Sequence, residues 1–486
     1  MRRAWKVLRW LGAWVLVGGL APIKAGADVR FQTWVGVYGL EARSQTYIGP
    51  YIAPTEHPDR YDVIGVFGGD GGTYSPYHTF ILRVDTKGNV IYAKQIPYYF
   101  MVLDSYSPVP GTLWLAGLHN QTVRHYTRVH QMVAQFRSPE GVPWLKSFYP
   151  LGLYGQYSYN LPNTVAFGVV PSPTQDRLMV LGHTSSKYVG QGPTISRFDR
   201  EGFLIWTHVY QPVGEFRDCR FASNILRTLT VAPQGGYQAI GHTMCTGIGR
   251  GDIWALQVDD HGRVLDSKVI RGDLTESAHW IQPTRDGSFL IGGFISGYYP
   301  DYRNVLLLLK WDGKSTIRWA RVFWIDGDID RLTFRGTPDG GVAVLLNAQF
   351  RNPDGTLQPP SPGFWRFDAQ GYLAAQRFYR FKDEVNLVSL QPTSDGGFLI
   401  AGILGVVGRG ERLLLMKTDP AGQAFVPQCV TEFELPVYTE DVPLDITDLK
   451  VEVHRIPDVA QERFQPISGY WKDVAPLPPQ LCERTL

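Results

Sequence analysis

The sequence predicts an all-β fold, a seven-bladed β-propeller of four-stranded antiparallel blades. A short apolar strand ending in an acidic-to-glycine turn recurs seven times between Phe80 and Gly422, at intervals of 51 to 61 residues that suit one blade each. The strand-like segment Phe31–Tyr38 has no earlier partners, so we expect it to pair with the last unit and close the ring. The seven turns are Asp85–Gly88, Ser138–Gly141, Asp199–Gly202, Asp259–Gly262, Asp312–Ser315, Asp368–Gly371 and Asp419–Gly422.

Residues 1–27 have the features of a secretory signal peptide. The basic residues Arg2 and Arg3 precede an apolar run from Trp10 to Leu20, and Ala25-Gly26-Ala27 fits a signal-peptidase site. The apolar run is too short for a permanent membrane-spanning helix. We therefore expect a secreted or cell-surface protein with no transmembrane anchor after cleavage, periplasmic if the host has an outer membrane.

The charge of the rest of the chain excludes one class of partner, and its composition indicates two regions. The formal net charge of +2 includes five basic residues of the leader, so the remainder carries −3. Without a dense Lys/Arg patch, nucleic acid is not an expected partner. We assign residues 28–430 to the propeller and 431–486, which contain several prolines, to a C-terminal extension that packs on it.

Within each unit, Asp-Gly pairs such as Asp395-Gly396 predict hairpin turns, because glycine adopts positive φ without a Cβ clash. A calcium loop is the alternative, but the alternating oxygen ligands and distal Glu that it needs are missing. Aromatic residues after the acidic-to-glycine turns, among them Trp206 and Trp319, are expected to fill the wedge between blades. Basic residues two positions before the turn aspartates, such as Arg366 and Lys417, recur and are interpreted as structural.

The short turns share one face of the predicted ring, and every long connection lies on the opposite face, where binding is expected. Two loops of this face are rich in tyrosine, a residue suited to contacts with sugars and proteins, although covering the blade tops is an alternative role. The candidate ligand-binding residues are Tyr154, Tyr157, Tyr159, Tyr298, Tyr299 and Tyr302.

Acidic residues near the starts of inner strands form a second candidate site. Glu276, Asp328 and Glu384 are placed at the channel mouth, where they would hold a cation or act as acid and base, or remain solvated loop charges. His183 and His242 each follow a glycine at the end of a second strand, a repetition that favours a structural role over metal binding. We expect no metal site and no catalytic residue.

Four cysteines lie in the exported part, and an even number suggests disulfides. Three pairings are possible. We favour Cys219 with Cys245 and Cys429 with Cys482, because each pair joins sequence neighbours, and buried unpaired thiols are the alternative.

The unit Thr393–Gly402, followed by Lys417–Gly422, resembles the repeat of exported bacterial and archaeal β-propeller proteins. This resemblance implies a propeller at or outside the cell surface and little about chemistry. Quinoprotein dehydrogenases share a similar Asp-x-x-Gly-x-x-x-Trp turn, but this chain lacks their adjacent cysteines and replaces the tryptophan with Tyr92, Asp266 and other residues.

The favoured function is binding or scaffolding, with a protein or polysaccharide of the cell surface as partner and no cofactor. The alternatives are an extracellular enzyme such as a glycan-active hydrolase or lyase and, less favoured, a quinoprotein-like dehydrogenase. Carboxylates converging in a concave pocket would favour the enzyme.

Overall fold

The computed structural model describes most of the chain between Thr33 and Arg484, and the predicted signal peptide lies outside this part. The described residues are 33–38, 46–55, 57–68, 78–96, 101–109, 112–123, 126–137, 141–150, 163–172, 177–186, 190–213, 223–246, 251–298, 303–350, 358, 360–405, 412–455, 459–463, 472–473 and 480–484. Their regular secondary structure is β-strand throughout. None of these residues belongs to a helix of the length and hydrophobicity that a membrane crossing requires.

In this part of the chain, 35 strands form seven antiparallel sheets of five strands each. Sheet I contains β2 (Thr46–Pro54), β3 (Arg60–Gly68), β4 (His78–Asp85), β5 (Val90–Ile96) and β34 (Lys472–Asp473). Sheet II contains β6 (Met101–Val109), β7 (Thr112–Val123), β8 (Tyr126–Arg137), β9 (Gly141–Pro150) and β33 (Val459–Arg463). Sheet III contains β10 (Asn163–Pro171), β11 (Arg177–Ser186), β12 (Gly190–Asp199), β13 (Leu204–Val213) and β32 (Lys450–Arg455).

The other four sheets repeat this arrangement. Sheet IV contains β14 (Asn224–Val231), β15 (Tyr237–Thr243), β16 (Asp252–Val258), β17 (Val264–Arg271) and β31 (Asp445–Asp448). Sheet V contains β18 (Thr275–Pro283), β19 (Phe289–Tyr298), β20 (Arg303–Trp311), β21 (Ile317–Trp324) and β30 (Tyr438–Asp441). Sheet VI contains β22 (Asp328–Gly336), β23 (Val342–Gln349), β24 (Ser361–Phe367), β25 (Leu373–Phe381) and β29 (Val430–Phe433). Sheet VII contains β26 (Val385–Pro392), β27 (Phe398–Leu404), β28 (Arg412–Thr418), β1 (Thr33–Tyr38) and β35 (Gln480–Arg484).

Each sheet packs against the next through buried apolar side chains, because the alternating residues of its strands face both neighbours. Sheets I and II are in contact through β2 and β6. Sheet VII returns to sheet I through a buried cluster in which Trp34 and Tyr38 join Ile52 and Phe80. The contacts between sheets thus run from I to VII and back to I.

The acidic-to-glycine turns are held by the aspartate side chain. In the first turn, Asp85 Oδ1 accepts hydrogen bonds from the N–H groups of Lys87 at 2.8 Å and Asn89 at 2.9 Å. The same two bonds, from residues two and four positions later, recur in five further turns, at Asp199, Asp259, Asp312, Asp368 and Asp419. Gly88 adopts a φ of +85°, which a residue with a Cβ rarely does.

Aromatic side chains connect several of the turns to the preceding sheet. Trp206 and Trp319 pack so closely against Gly262 and Gly371 of the next sheet that a Cβ there would lie 2.8 Å or less from the indole. Tyr210 Oη donates a hydrogen bond to the Gly262 carbonyl at 2.8 Å. The aromatic residues that follow the turns therefore fill the space between sheets, as the sequence predicts.

The recurring basic residues are structural partners of the hairpin aspartates. Lys417 is 1% exposed, and its Nζ lies 2.8 Å from Asp395 Oδ2. Arg366 makes the equivalent contact with Asp339 at 2.6 Å. Each pair ties the third strand of a sheet to the turn between its first and second strands.

The C-terminal extension supplies the fifth strand of every sheet, where the sequence predicts four. Strands β29 to β35 pair in turn with the outer strands of sheets VI, V, IV, III, II, I and VII, which is the reverse of their chain order. Strand β1 lies fourth in sheet VII, between β28 and β35, so the start and end of the chain share one sheet. Because a fifth strand covers the outer edge of each sheet, its unpaired backbone groups gain partners.

Candidate functional site

The first strands of the seven sheets, which we call inner strands, lie next to one another. They are β2, β6, β10, β14, β18, β22 and β26, and each contacts the inner strands of both neighbouring sheets. Residues on their free edges are therefore brought together from different sheets.

Each inner strand carries an irregularity in its pairing with the second strand, of the kind that a β-bulge produces. The shifts fall between Ile48 and Tyr51, Val102 and Asp104, Ala166 and Gly168, Leu226 and Thr228, Ala278 and Trp280, Asp330 and Thr333, and Leu387 and Ser389. A bulge re-aims the side chain that it contains, so it sets what each inner strand presents.

In sheets IV and V, a glycine on the second strand allows the close backbone approach at the bulge. In sheet IV, Gly241 lies opposite Leu226, and a Cβ at Gly241 would lie 1.9 Å from the Ile225 carbonyl oxygen. In sheet V, a Cβ on Gly293 would lie 1.9 Å from the Ser277 carbonyl oxygen. Gly241 and Gly293 thus lie inside their second strands rather than at the strand ends that the sequence predicts, and close backbone approach explains both glycines.

The bulge repeats, but the residues inside it do not. The skipped positions hold Gly49 and Pro50, Leu103, Phe167, Arg227, His279, Arg331 and Leu332, and Val388. Polar side chains occupy it in three consecutive sheets, IV, V and VI. This asymmetry separates a candidate site from the repeated architecture.

Arg227 and two histidines of adjacent sheets form the core of this site. Burial, and secondarily the Arg227 charge, lowers the pKa of His242 to about 4. Burial lowers the pKa of His279 to about 3, and Arg227 and His242 contribute to that shift. Both imidazoles are therefore neutral at pH 7 beside a cationic guanidinium.

Several polar atoms of the cluster have no protein partner. His242 Nδ1 and His279 Nε2 are buried without a hydrogen bond, although Ser223 Oγ lies 3.3 Å from His242 Nε2. Arg227 is exposed to water, although partial burial lowers its pKa. Among the described residues no ion pair or hydrogen bond neutralises Arg227. Buried polar groups usually have partners, so unpaired ones indicate a place for a ligand.

Arg331 occupies the bulge of sheet VI in a strained conformation. Its φ of +49° lies in the left-handed region, which is uncommon for a residue with a Cβ. Such strain concentrates at functional sites. Its side chain is exposed and has no ion pair within the described part of the chain.

The structure places the three predicted carboxylates at the start of inner strands but in different environments. Glu276 is 1% exposed, and its Oε1 accepts a hydrogen bond from the Leu274 N–H at 3.2 Å. Burial raises its pKa to about 7, and the charge of Asp252 acts in the same direction. Asp328 and Glu384 are exposed. No group of three His, Cys, Asp or Glu in the described ranges is arranged to hold a metal ion.

The remaining predicted site residues are only partly covered by the structure. Tyr154, Tyr157, Tyr159, Tyr299, Tyr302 and Cys219 lie outside the described residues, and Tyr298 is described only as the last backbone position of β19. Cys245 is buried beside Thr243, whose Oγ1 accepts a hydrogen bond from the Cys245 N–H at 3.1 Å. The tyrosine surface therefore stays a prediction.

Arg227 is the residue that the sequence reasoning missed. Nothing in Asn224-Ile225-Leu226-Arg227-Thr228 marks it, because the pairing shift that singles it out exists only between strands. The one available signal was His242, whose position after Gly241 was noted as part of a repeat.

No family model and no curated protein matches this chain. Among solved structures it is similar to the periplasmic gluconolactonase PpgL of Pseudomonas aeruginosa, with 16% identity, a TM-score of 0.40 and coverage of 72% of this chain and 99% of that one. The NanB sialidase of Streptococcus pneumoniae is similar at 8% identity and TM-score 0.39, covering 81% and 95%. A eukaryotic initiation factor is similar at 9% identity and TM-score 0.34, covering 88% and 99%. Similarity at this level assigns no activity.

Proposed function

We propose that this protein is an exported, seven-bladed β-propeller that binds an acidic sugar of the uronate class where its inner strands converge. The closed sequence of sheet contacts supports the propeller, and the signal-peptide features of residues 1–27 support export. Of the two partners that the sequence predicts, a protein or a polysaccharide of the cell surface, this proposal specifies the polysaccharide.

The observation that carries this proposal is Arg227, which is exposed in the bulge of β14 with no ion pair in the described part of the chain and helps to lower the pKa of two histidines. A guanidinium binds a carboxylate through two parallel hydrogen bonds, which are stronger in a partly desolvated site than in water. His242 and His279 are half-buried, and a neutral imidazole both donates and accepts hydrogen bonds, so both rings suit sugar hydroxyl groups once they turn their buried nitrogens toward the ligand. Charge and hydroxyl recognition together favour a uronate over a simple anion.

The site lies at the end of the sheets where the predicted long loops meet. Asn224 begins β14, while Thr243 ends the second strand β15 that pairs with it. Arg227 and His242 are within three residues of these ends. The tyrosine-rich loops predicted for this face would extend the same surface beyond the inner strands.

A glycan-active enzyme is the second candidate, and one observation favours it. A carboxyl group with a pKa near 7 is suited to general acid catalysis, and Glu276 has this property in the strand that carries His279. Loss of sugar cleavage in Glu276→Gln with binding retained would establish this candidate. Equal behaviour of the two proteins would reject it.

Calorimetric titration tests the binding proposal with three probes: galacturonate, inorganic phosphate and neutral methyl galactoside. We expect galacturonate to bind and methyl galactoside to bind at least about tenfold more weakly, because it lacks the carboxylate. Arg227→Gln should weaken galacturonate binding by about tenfold or more. The control Arg200→Gln, at an exposed arginine of a turn between third and fourth strands, should bind normally.

Two results would refute the proposal. One is equal affinity for galacturonate and methyl galactoside, and the other is unchanged binding by Arg227→Gln. Phosphate binding as tight as galacturonate would show that the site selects anions without reading sugar hydroxyls.

A further inference from the structure

The two ends of the C-terminal extension lie on neighbouring sheets. Strand β29 begins at Val430 on sheet VI, and β35 ends the described extension on sheet VII. Sheets VI and VII share one buried cluster, which contains Val430 and Val35. The extension therefore passes all seven sheets, and its last strand lies beside the sheet on which its first strand pairs.

A cysteine stands at each of these ends. Cys429 directly precedes β29 and packs against the buried cluster that contains Val35. Cys482 is the third residue of β35 and lies opposite Val35 in the register of β35 with β1. Residues opposite each other in an antiparallel pair have Cα atoms about 4.5–5.5 Å apart. Cys482 thus lies opposite a residue of the same buried cluster against which Cys429 packs.

We propose that Cys429 and Cys482 form a disulfide that closes the extension into a covalent belt around the seven sheets. Two S–H bonds break and one S–S bond forms, and the two electrons and two protons pass to a low-molecular-weight or protein disulfide of the export compartment, which becomes two thiols. The bond requires Cα atoms within about 7 Å of each other, and the shared cluster places both cysteines in the same region of sheets VI and VII.

Within the described residues, the shortest strand of the extension is the one before its closing strand. Strand β34 contributes only Lys472 and Asp473, whereas β32 and β33 pair over six and five residues. Local opening starts where backbone pairing is sparse. A disulfide at Cys482 would hold the end of the belt beyond this sparse region and prevent it from peeling away strand by strand.

Peptide mapping of the exported full-length protein without reductant tests the bond itself. We expect a cross-linked peptide that joins Cys429 to Cys482 and separates on reduction. Free thiols at these positions, or a link from either one to Cys219 or Cys245, would overturn the proposal.

Limited proteolysis tests the closing role. Cys429→Ala, Cys482→Ala and the double variant should each lose residues C-terminal to 430 at least about tenfold faster than the wild type, and all three to the same extent. Equal effects identify one shared bond, whereas effects that add in the double variant would indicate separate packing roles and contradict the belt. Mild reduction of the wild type should reproduce the variants without any substitution, and no acceleration on reduction would also contradict it.

Discussion

The β-bulge of sheet IV gives the sharpest test of how the candidate site is built, through the substitution Gly241→Ala. A Cβ at this position would lie 1.9 Å from the Ile225 carbonyl oxygen and 2.7 Å from the Leu226 Cα. Both are backbone atoms, so no side-chain rotation relieves the clash. The inner strand has to move, and Arg227 is the next residue along it.

The expected cost follows from this geometry. Overpacking a close-packed interior costs about 1–3 kcal/mol, and a clash with backbone belongs at the upper end, so we expect Gly241→Ala to destabilise the protein by about 3 kcal/mol. Gly251→Ala is the matched control, because its added Cβ would meet the Thr275 Cγ2 at 3.4 Å, an ordinary contact. There we expect a change of at most about 1 kcal/mol, because the methyl group added at this buried position meets only an ordinary van der Waals contact.

Denaturant unfolding monitored by tryptophan fluorescence measures both variants, and titration with galacturonate measures the site. Gly241→Ala should lower the unfolding midpoint and weaken galacturonate binding, while Gly251→Ala changes neither. If Gly241→Ala unfolds at the wild-type midpoint and binds galacturonate normally, the close approach of β14 to β15 does not position Arg227, and the account of the site fails.

Three further outcomes are expected. Burial holds Glu276 protonated, with a pKa of about 7 against an ordinary 4.5, so its contribution to stability of about 3 kcal/mol is complete below pH 4.5 and is lost as pH rises through 7. Glu276→Gln should therefore gain stability relative to the wild type between about pH 5 and pH 8 in unfolding experiments. A difference in stability that does not change with pH would contradict the raised pKa. Tyr379→Phe should lower the free energy of unfolding by about 1–2 kcal/mol, because the Tyr379 hydroxyl donates a buried hydrogen bond to the Gly422 carbonyl at 2.6 Å, and an unchanged midpoint would show that this bond contributes nothing. Deletion of residues 430–486 uncovers the outer edges of all seven sheets and should produce concentration-dependent association in light scattering, whereas a monodisperse truncated protein would show that the edges need no cover.

The repeated part of the fold is predictable because its signals are local. Asp-to-Gly turns such as Asp85–Gly88 encode their own backbone shape: the aspartate oxygen accepts nearby N–H groups and the glycine takes the positive φ. The basic and aromatic residues beside the turns recur with them, and their partners also recur. Sequence periodicity therefore identifies the residues that build the repeated sheets.

The fifth strands are not predictable in the same way. Strand β30 has four residues, three of them exposed, and its partner Ile317–Trp324 lies more than a hundred positions earlier in the chain. Such a segment buries too little apolar surface to show a pattern of its own. Its conformation comes from the free edge that it covers.

The candidate site is unpredictable for a related reason. His242 and His183 are equivalent in sequence, and burial lowers the pKa of both. Only His242 also responds to Arg227, and His279 of the next sheet responds to both. What distinguishes the two histidines is therefore the occupant of a bulge on a neighbouring strand, a relation between strands rather than within one.

The bulge is common to all seven sheets, whereas the residue inside it differs from sheet to sheet. If the polar bulge residues served the scaffold, the scaffold would need them in every sheet, as it needs the Asp-to-Gly turns in six of them. Leu103, Phe167 and Val388 instead fill the same position in sheets II, III and VII. The fold is therefore satisfied by apolar residues there, and the cost of burying two imidazole nitrogens without a protein partner stabilises nothing in the scaffold. A ligand with a negative charge for Arg227 and hydrogen bonds for the two imidazole rings would offset this cost.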